Sequence, residues 1–303
     1  MRVLITGGGG FLGRAILGEL LAAGIPVVVL DLPGRLEGLP DCGRTEFDFS
    51  ASPLDLVRHA RAGDRLLHLG CTSHPAASMA DPAGDVAANV VSSIRLFQAA
   101  VQSGVERVVF ASSGGTVYGR IDEIPVEESH STQPLSAYGI SKLSIEHYLD
   151  LFPTLQGISL RVANPYGRGQ LIGTPVGAIA HFVQCSLRQV PVEIWGDGTV
   201  VRDYIAVEDV AAAFRLAVTR TDLAPGPYNI GTGRGTSLNE VVDLLSAITG
   251  RPLDVRHTQA RNYDVPEIVL DSTRFSRATG WKPAVALEGG VRQLWEAALE
   301  EAG

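Results

Sequence analysis

The stretch VLITGGGGFLGRAI, residues 3–16, limits what this chain can fold into more than any other segment. A short β-branched run gives way to glycines and then to an apolar-periodic segment, which reads as a strand (2–6), a tight turn and a helix (11–23). Gly7, Gly10 and Gly13 stand at G-x-x-G-x-x-G spacing. Glycines so placed let the chain turn sharply, let its backbone approach a pyrophosphate, and let the helix pack closely on the strand. The N–H groups at the helix start then face the phosphates. Any glycine-rich strand-to-helix turn shares these residues, so the next acid matters. Asp31 follows the second strand, PVVVL (26–30), eighteen residues after Gly13. An acid there accepts hydrogen bonds from an adenosine ribose and disfavours a 2′-phosphate. NAD is the expected cofactor, and Arg35 keeps NADP open.

The strand–helix alternation continues. TEFDF (45–49), RLLHL (65–69), RVVFASS (107–113) and ISLRVA (158–163) read as strands, and 83–103 and 136–152 as helices. Nearly continuous apolar strands between helices predict a parallel sheet covered on both faces. After Asn164, NPYGRGQLIGTPVG reads as a loop, followed by helices near 177–188, 207–219, 237–249 and 287–300 and short strands VEIW (192–195) and GPYNIG (226–231). Two units are expected: 1–165 with part of 200–230 for the dinucleotide, and a smaller α/β unit over 166–200 and 231–303 for substrate.

Composition removes several classes of function. Hydrophobic residues make up 45% of the 303, enough for a sizeable core, yet no run is long enough to span a membrane. The N-terminus reads as a first strand, not a signal peptide. Cys42, Cys71 and Cys185 are odd in number, far apart and without CxxC spacing, so neither a disulfide framework nor a metal site is expected, and a reducing cytoplasm is. A net charge of −8 without a basic stripe argues against nucleic acid.

YGISK, residues 138–142, holds one of only two lysines, four residues after a tyrosine. On a helix, i and i+4 share a face. An ammonium near the Tyr138 hydroxyl would lower its pKa from about 10. The tyrosine would then act as a base near neutral pH. A packed tyrosine and a solvated lysine share the spacing. What separates the two readings is ASSGGTVYG, at the end of the 107–113 strand, where Ser112, Ser113 and Thr116 lie near the edge at which open parallel sheets bind ligands. His68, on a buried-looking strand, reads as structural, and His74 as a loop residue near the site. Cys71 has no evident activating base and reads as packing.

These residues resemble the extended short-chain dehydrogenase/reductase family, its nucleotide-sugar 4-epimerases above all. TGGGGFLG, Asp31, FDFS, HLGC, SSGGTVYG, YGISK, NPYG, IWGDGTVVRDYI, YNIGTG and GWKP occur in the family's order, over essentially the whole chain. The resemblance implies a Rossmann-type doubly wound parallel sheet with a smaller C-terminal α/β substrate domain. It places NAD against Gly7, Gly10, Phe11, Leu12, Gly13, Asp31, Asp48 (near the adenine), Phe49, Leu69, Gly70, Ser112, Tyr138 and Lys142. Tyr138 would be the base and Lys142 would bind the nicotinamide ribose, with Thr116 and Ser113 as catalytic hydroxyls. Ser73, Thr116, Asn164, Trp195, Arg202, Arg261 and Asp264 would hold a nucleotide sugar, Trp195 against its base and the two arginines on its diphosphate.

The chain also departs from the family's pattern. Gly114 replaces a third Ser or Thr that bridges substrate and tyrosine in epimerases; Thr116, Ser113 or a water would take its place. No acid stands at Gly114, Gly115 or Thr116, which disfavours dehydratase chemistry. Ser73 replaces a lysine, and Ile268 stands where side-chain size bears on tolerance of an N-acetyl sugar. The implied reaction is NAD-dependent epimerisation at C4 of a UDP-hexose; net oxidoreduction of a nucleotide sugar, or a non-catalytic NAD sensor, are the other readings. The resemblance further implies a homodimer through helices 85–103 and 136–152, where Val90, Ile94, Phe97, Ile145 and Leu149 spread apolar surface around the helices.

Overall fold

In the computed structural model of the chain, residues 1–170, 177–259 and 265–302 are described. The first half alternates strands β1 (Val3–Thr6), β2 (Val27–Asp31), β3 (Gly43–Glu46), β4 (Arg65–His68), β5 (Arg107–Ser113) and β6 (Ile158–Val162) with helices. These are α1 (Phe11–Ala22), α2 (Pro75–Ala80), α3 (Pro82–Asp85), α4 (Ser92–Gln102), α5 (Gly114–Val117) and α6 (Ala137–Asp150). The second half contains β7 (Asn164–Tyr166), α7 (Ala178–Arg188), β8 (Val192–Trp195), β9 (Val201–Ala206), α8 (Val207–Thr219) and β10 (Gly226–Ile230). β11 (Gly235–Ser237), α9 (Leu238–Thr249), β12 (Val255–Thr258), β13 (Glu267–Ile268), α10 (Thr273–Thr279) and α11 (Leu287–Ala302) complete it.

Seven strands form one sheet in the order β3-β2-β1-β4-β5-β6-β10, and every neighbouring pair is parallel. Side chains alternate between its faces as a pleated strand requires. Val3 and Ile5 enter a core shared with Ile16, Leu17 and Leu20 of α1 and Phe214 of α8, whereas Leu4 enters another with Leu96 and Phe97 of α4 and Ile145 and Leu149 of α6. Helices thus cover both faces of a doubly wound, Rossmann-type α/β sheet. Strand order reverses between β1 and β4, and the crevice beyond their carboxyl ends is where such sheets take ligands. A further core gathers Ile179, Phe182, Val183, Ile194, Val241, Leu245, Val291 and Trp295 from α7, β8, α9 and α11. β10 returns to the large sheet beside β6, and α8 packs on α1.

Two local expectations shift. The third strand covers Gly43–Glu46 rather than 45–49, because Asp48 closes a turn through its carboxylate to Ser50 N (2.9 Å) and Ala51 N (3.1 Å). The helix expected over 83–103 is a short α-turn, a π-helical stretch Val86–Val91, and α4. Asn89 donates its amide to the Asp85 carbonyl at 3.2 Å, so a side chain competes for the acceptor four residues back that a regular α-ladder would use.

Two buried arginines tie α8 to the sheet. Arg65 and Arg107 face each other across β4 and β5. Arg65 donates to the carbonyls of Val218 (2.5 Å) and Thr219 (2.9 Å), and Arg107 to Ala217 (3.2 Å), Leu223 (3.1 Å) and Arg220. Cations there satisfy the orphan carbonyls of the α8 C-terminus and complement its dipole.

The apolar residues singled out as dimer surface face inward instead. Val90, Phe97, Ile145 and Leu149 belong to the core under the sheet, and Ile94 packs against it. Among the described residues, no helix is long and apolar enough to cross a membrane, and no group of three His, Cys, Asp or Glu side chains could hold a metal ion.

His68 lies wholly inside the core among Phe49, Phe97 and Phe110. Its Nδ1 is 2.8 Å from Thr6 Oγ1, and its Nε2 is 2.9 Å from Ser93 Oγ. Ser93 already donates to the Asn89 carbonyl at 2.6 Å, so Nε2 carries the proton and Nδ1 accepts from Thr6. Burial, with Lys142 nearby, pushes the ring down from its ordinary 6.5 to about 3. Between those values the unfolded chain binds a proton that the folded chain excludes, so stability falls as pH drops through this window. Urea midpoints of His68→Gln measured from pH 7.5 to 4.5 are expected to show a shallower acid slope than the parent by up to about 1.4 kcal/mol per pH unit. Parallel slopes would refute the assignment.

Candidate active site

The crevice begins where β1 meets α1. Gly7 takes φ +74°, and a Cβ there would lie 2.8 Å from the Gly70 backbone nitrogen. A Cβ on Gly13 would lie 2.5 Å from the Gly7 carbonyl oxygen. The two glycines therefore serve different ends: the first lets two chain segments touch at the switch point, and the second seats α1 on the turn. α1 starts at Phe11 behind an extended Gly10 with no side-chain cap, which leaves its first N–H groups to an anion. Phe11 and Leu12 lie in that first turn.

Asp31 ends β2 with its carboxylate fixed by the backbone. Oδ2 accepts from Gly9 N and Oδ1 from Leu32 N, each at 2.8 Å. Two lone pairs remain for a ribose. Leu69 N donates to the Thr6 carbonyl (3.1 Å), which holds the end of β4 beside β1. Phe49 lies over Gly70, where a Cβ would stand 2.8 Å from its Cδ1. Asp48 uses Oδ1 on Ser50 N, Ser50 Oγ and Ala51 N, and these bonds, Ser50 Oγ foremost, hold its carboxyl below the usual range. An uncapped helix N-terminus, a close-fitting glycine cradle and an anchored acid suit a dinucleotide with a free adenosine ribose.

Helix α6 delivers Tyr138 and Lys142. Ser136 caps it by accepting from Gly139 N at 3.1 Å, and Tyr138 N donates to Ser78 Oγ at 2.9 Å. Lys142 is only 5% exposed. Its Nζ donates to the Ala111 carbonyl (2.8 Å) and sits 4.8 Å from the Phe110 ring centroid and 5.5 Å from that of Tyr138. Gly70, Cys71, Ser73, Asp85, Asn89, Tyr138, Ser141, Lys142 and Ile145 line one small pocket. The expected activation of Tyr138 is reversed here. Burial, then the neighbouring Cys71 and Asp85, push the phenol up. Desolvation disfavours the phenolate, and the Lys142 ammonium is turned to a main-chain carbonyl.

The hydroxyls divide. Thr116 Oγ1 is buried and has no hydrogen-bond partner among the described residues. Ser113 is the N-cap residue of α5 and makes no side-chain cap bond. Ser112, expected at the cofactor, instead donates into the protein, to Glu146 Oε1. Glu146 in turn receives Arg161 in a bidentate pair at 2.7–3.2 Å. Ser73, expected to touch the sugar, donates to Asp85 and accepts from Asn89 Nδ2 at 3.3 Å. A Cβ on Gly114 would meet Leu270 Cδ1: a leucine from the other half of the chain fills the space that a side chain there would take. Asn164 Oδ1 stands 3.3 Å from where a Cβ on Gly115 would be, beside α5.

Trp195 ends β8, next to Thr258 of β12, and is 43% exposed. Arg202 on β9 donates to the carbonyls of Val201 (2.9 Å) and Val265 (2.7 Å). Arg261 and Asp264 lie outside the described residues. Ile268 is buried in the main core rather than on an open wall. His74 caps α2, its Nδ1 accepting from Ala77 N at 3.4 Å. Sequence reasoning missed Asp85, Asn89 and Ser141. The available signal was a pair of polar residues four apart, Asp85 and Asn89, on an otherwise apolar helical pattern.

Comparison with known proteins agrees with this arrangement. The NAD dependent epimerase/dehydratase family model matches residues 3–231. The UDP-glucose 4-epimerase of Mycolicibacterium smegmatis is 34% identical over 315 residues, with 98% of each chain covered. A Thermotoga maritima UDP-glucose 4-epimerase solved with UDP-glucose superposes with a TM-score of 0.92 at 33% identity, covering 100% of both chains. The Thermus thermophilus UDP-glucose 4-epimerase, solved as a complex with NAD, superposes with a TM-score of 0.91 at 34% identity, covering 98% of both. With the glycine cradle, the anchored acid and the buried Tyr-Lys pair in place, the chain belongs to the NAD dependent epimerase/dehydratase family, and NAD is its cofactor.

Proposed function

We propose that this protein interconverts the C4 epimers of a nucleotide sugar, with UDP-glucose and UDP-galactose as the default pair. The observation that carries the reading is the small pocket in which Tyr138 and the buried Lys142 share one wall and Gly70 and Cys71 another. NAD, when bound, supplies the acceptor for the C4 hydride and returns it. Tyr138 takes the proton from the sugar 4-hydroxyl and later gives it back, so no net proton or electron leaves the site. Lys142, held by Ala111, fixes a positive charge on the same helix face. Thr116, with its hydroxyl buried and unpartnered, is the group left to bridge sugar and phenol now that Leu270 fills the room beside Gly114. Ser113 is the second hydroxyl at that edge. Residues 1–165 with part of 200–230 would carry the dinucleotide. Residues 166–200 and 231–303, with Trp195, Arg202, Arg261 and Asp264, would grip the nucleotide while the sugar turns over between small residues.

Incubation with UDP-, GDP- and dTDP-sugars, followed by proton NMR at C4, is expected to show exchange for at least one of them without lasting absorbance at 340 nm. Tyr138→Phe should lower the rate about 10²–10⁴-fold, and Thr116→Val about tenfold. An absence of C4 exchange across the panel would remove the epimerase reading, and stoichiometric NADH would replace it with net oxidoreduction.

We also propose a homodimer built on the outer faces of the Val86–Val91 stretch, α4 and α6. Val86, Val91, Val101, Ile140 (51% exposed), Tyr148 and Leu151 (70%) are large apolar side chains left on that side. Light scattering should give twice the mass of one chain, and Ile140→Glu with Leu151→Asp should halve it. A parent protein that is monomeric at micromolar concentration would dismiss the dimer.

A further inference from the structure

One buried carboxylate in the site has no part in the reaction just described. Asp85 closes α3 and is 5% exposed. Among the described residues, none of the ion pairs includes it. Three side-chain donors solvate it instead. Ser141 Oγ donates to Oδ2 at 2.5 Å, and Asn89 Nδ2 and Ser73 Oγ donate to Oδ1, the former at 3.0 Å. A buried charge without a counterion demands such donors.

The donors come from the elements that make the site. Ser141 stands between Tyr138 and Lys142 on α6. Ser73 lies on the loop after β4 that also carries Gly70 and Cys71. Asn89 secures the same loop, since Thr72 N and Thr72 Oγ1 reach its Oδ1 at 2.9 and 3.2 Å. Asp85 therefore joins the helix that presents the phenol to the loop that walls the pocket, and it places a negative charge in that wall.

We propose that Asp85 is a positioning residue for proton transfer at Tyr138: through Ser141 and Ser73 its carboxylate fixes α6 against the loop after β4, and it sets a negative charge in the pocket that the phenol lines. The proposal rests on Tyr138 being the base and deepens that reading. A like charge near a phenolate disfavours it, so the protein alone holds the tyrosine in its neutral form and leaves its release to a cation arriving with the cofactor. The direction in which Asp85 and Cys71 push the phenol agrees with this. The other ionisable groups on α6 and the elements around it lie as follows. Lys142 on α6 opposes Asp85, His147, Tyr148 and Asp150 stand in its last turn, Cys71 lies on the loop after β4, His74 and Asp81 stand at the two ends of α2, Arg95 lies on α4, and Arg107 begins β5. Glu146, further along α6, is committed to Arg161.

The test is a titration of the phenol itself. Phenolate absorbance of the NAD-loaded protein, taken as the difference from Tyr138→Phe and measured without sugar, reads Tyr138 whatever the substrate. Asp85→Asn is expected to move the midpoint to lower pH by about one unit. Ser141→Ala, which keeps the charge, should leave the midpoint in place and lower kcat about tenfold with little change in NAD affinity. If the asparagine variant does not fold, Asp85→Ser is read in the same way. An unmoved midpoint in the neutral variant, or an equal shift in Ser141→Ala, overturns the proposal. A protein that shows the shift yet exchanges C4 in no nucleotide sugar refutes the epimerase reading and leaves this one standing.

Discussion

The site exists because two backbones touch. At the point where strand order reverses, the turn after β1 and the end of β4 approach until a single methyl group on Gly7 would collide with Gly70. That closeness brings the start of α1, the Asp31 carboxylate and the loop carrying Cys71 and Ser73 around one crevice. A larger residue at Gly7 would separate the strands' ends and split the glycine turn from the pocket below it, whereas one at Gly70 would meet the Phe49 ring. The apolar alternation of β1, with Val3 and Ile5 on one face and Leu4 on the other, anchors the turn from beneath.

Helix α6 organises the rest. Tyr138, Lys142 and Glu146 recur every four residues and so lie along one stripe, each bound to something different. The first lines the pocket, the second holds the Ala111 carbonyl, and the third pairs with Arg161, which also donates to Tyr118 at 3.0 Å. Tyr118 continues inward to Asn229 on β10 at 2.6 Å. Such a buried pair adds little net stability over an apolar filling, but removing one partner costs about 3–5 kcal/mol. Its value is register. It fixes α6 along its length, so the phenol and the ammonium keep their separation.

Much of this was legible in the chain. The glycine spacing, the acid after β2 and the tyrosine four residues before a lysine are local patterns, and local patterns survive folding when their neighbours are predictable. The parallel sheet was legible because its strands are apolar on both faces. Directions of side chains were not. The letters at Ser112 and Ser73 announce hydroxyls near the site, yet one turns to Glu146 and the other to Asp85, partners fixed only by tertiary packing. The same holds for the phenol of Tyr138, whose environment is set by Cys71, Asp85 and burial rather than by the lysine on its own helix. The broken helix over 82–102 follows from Asn89, an ordinary residue in a helical pattern until its amide finds the Asp85 carbonyl.

Leu270 has a consequence for how this fold can change. Its Cδ1 occupies the space that any side chain at Gly114 would need, although the two residues come from opposite halves of the chain. Asp203 accepts from the leucine's backbone N–H at 3.2 Å, so the main chain there is held and any adjustment falls on the side chain. The two positions are therefore coupled in any mutational path. A serine grafted onto α5 requires the leucine side chain to move aside, and trimming the leucine first leaves a void in the core. The least disruptive route to a hydroxyl at this position is therefore to exchange the two residues together.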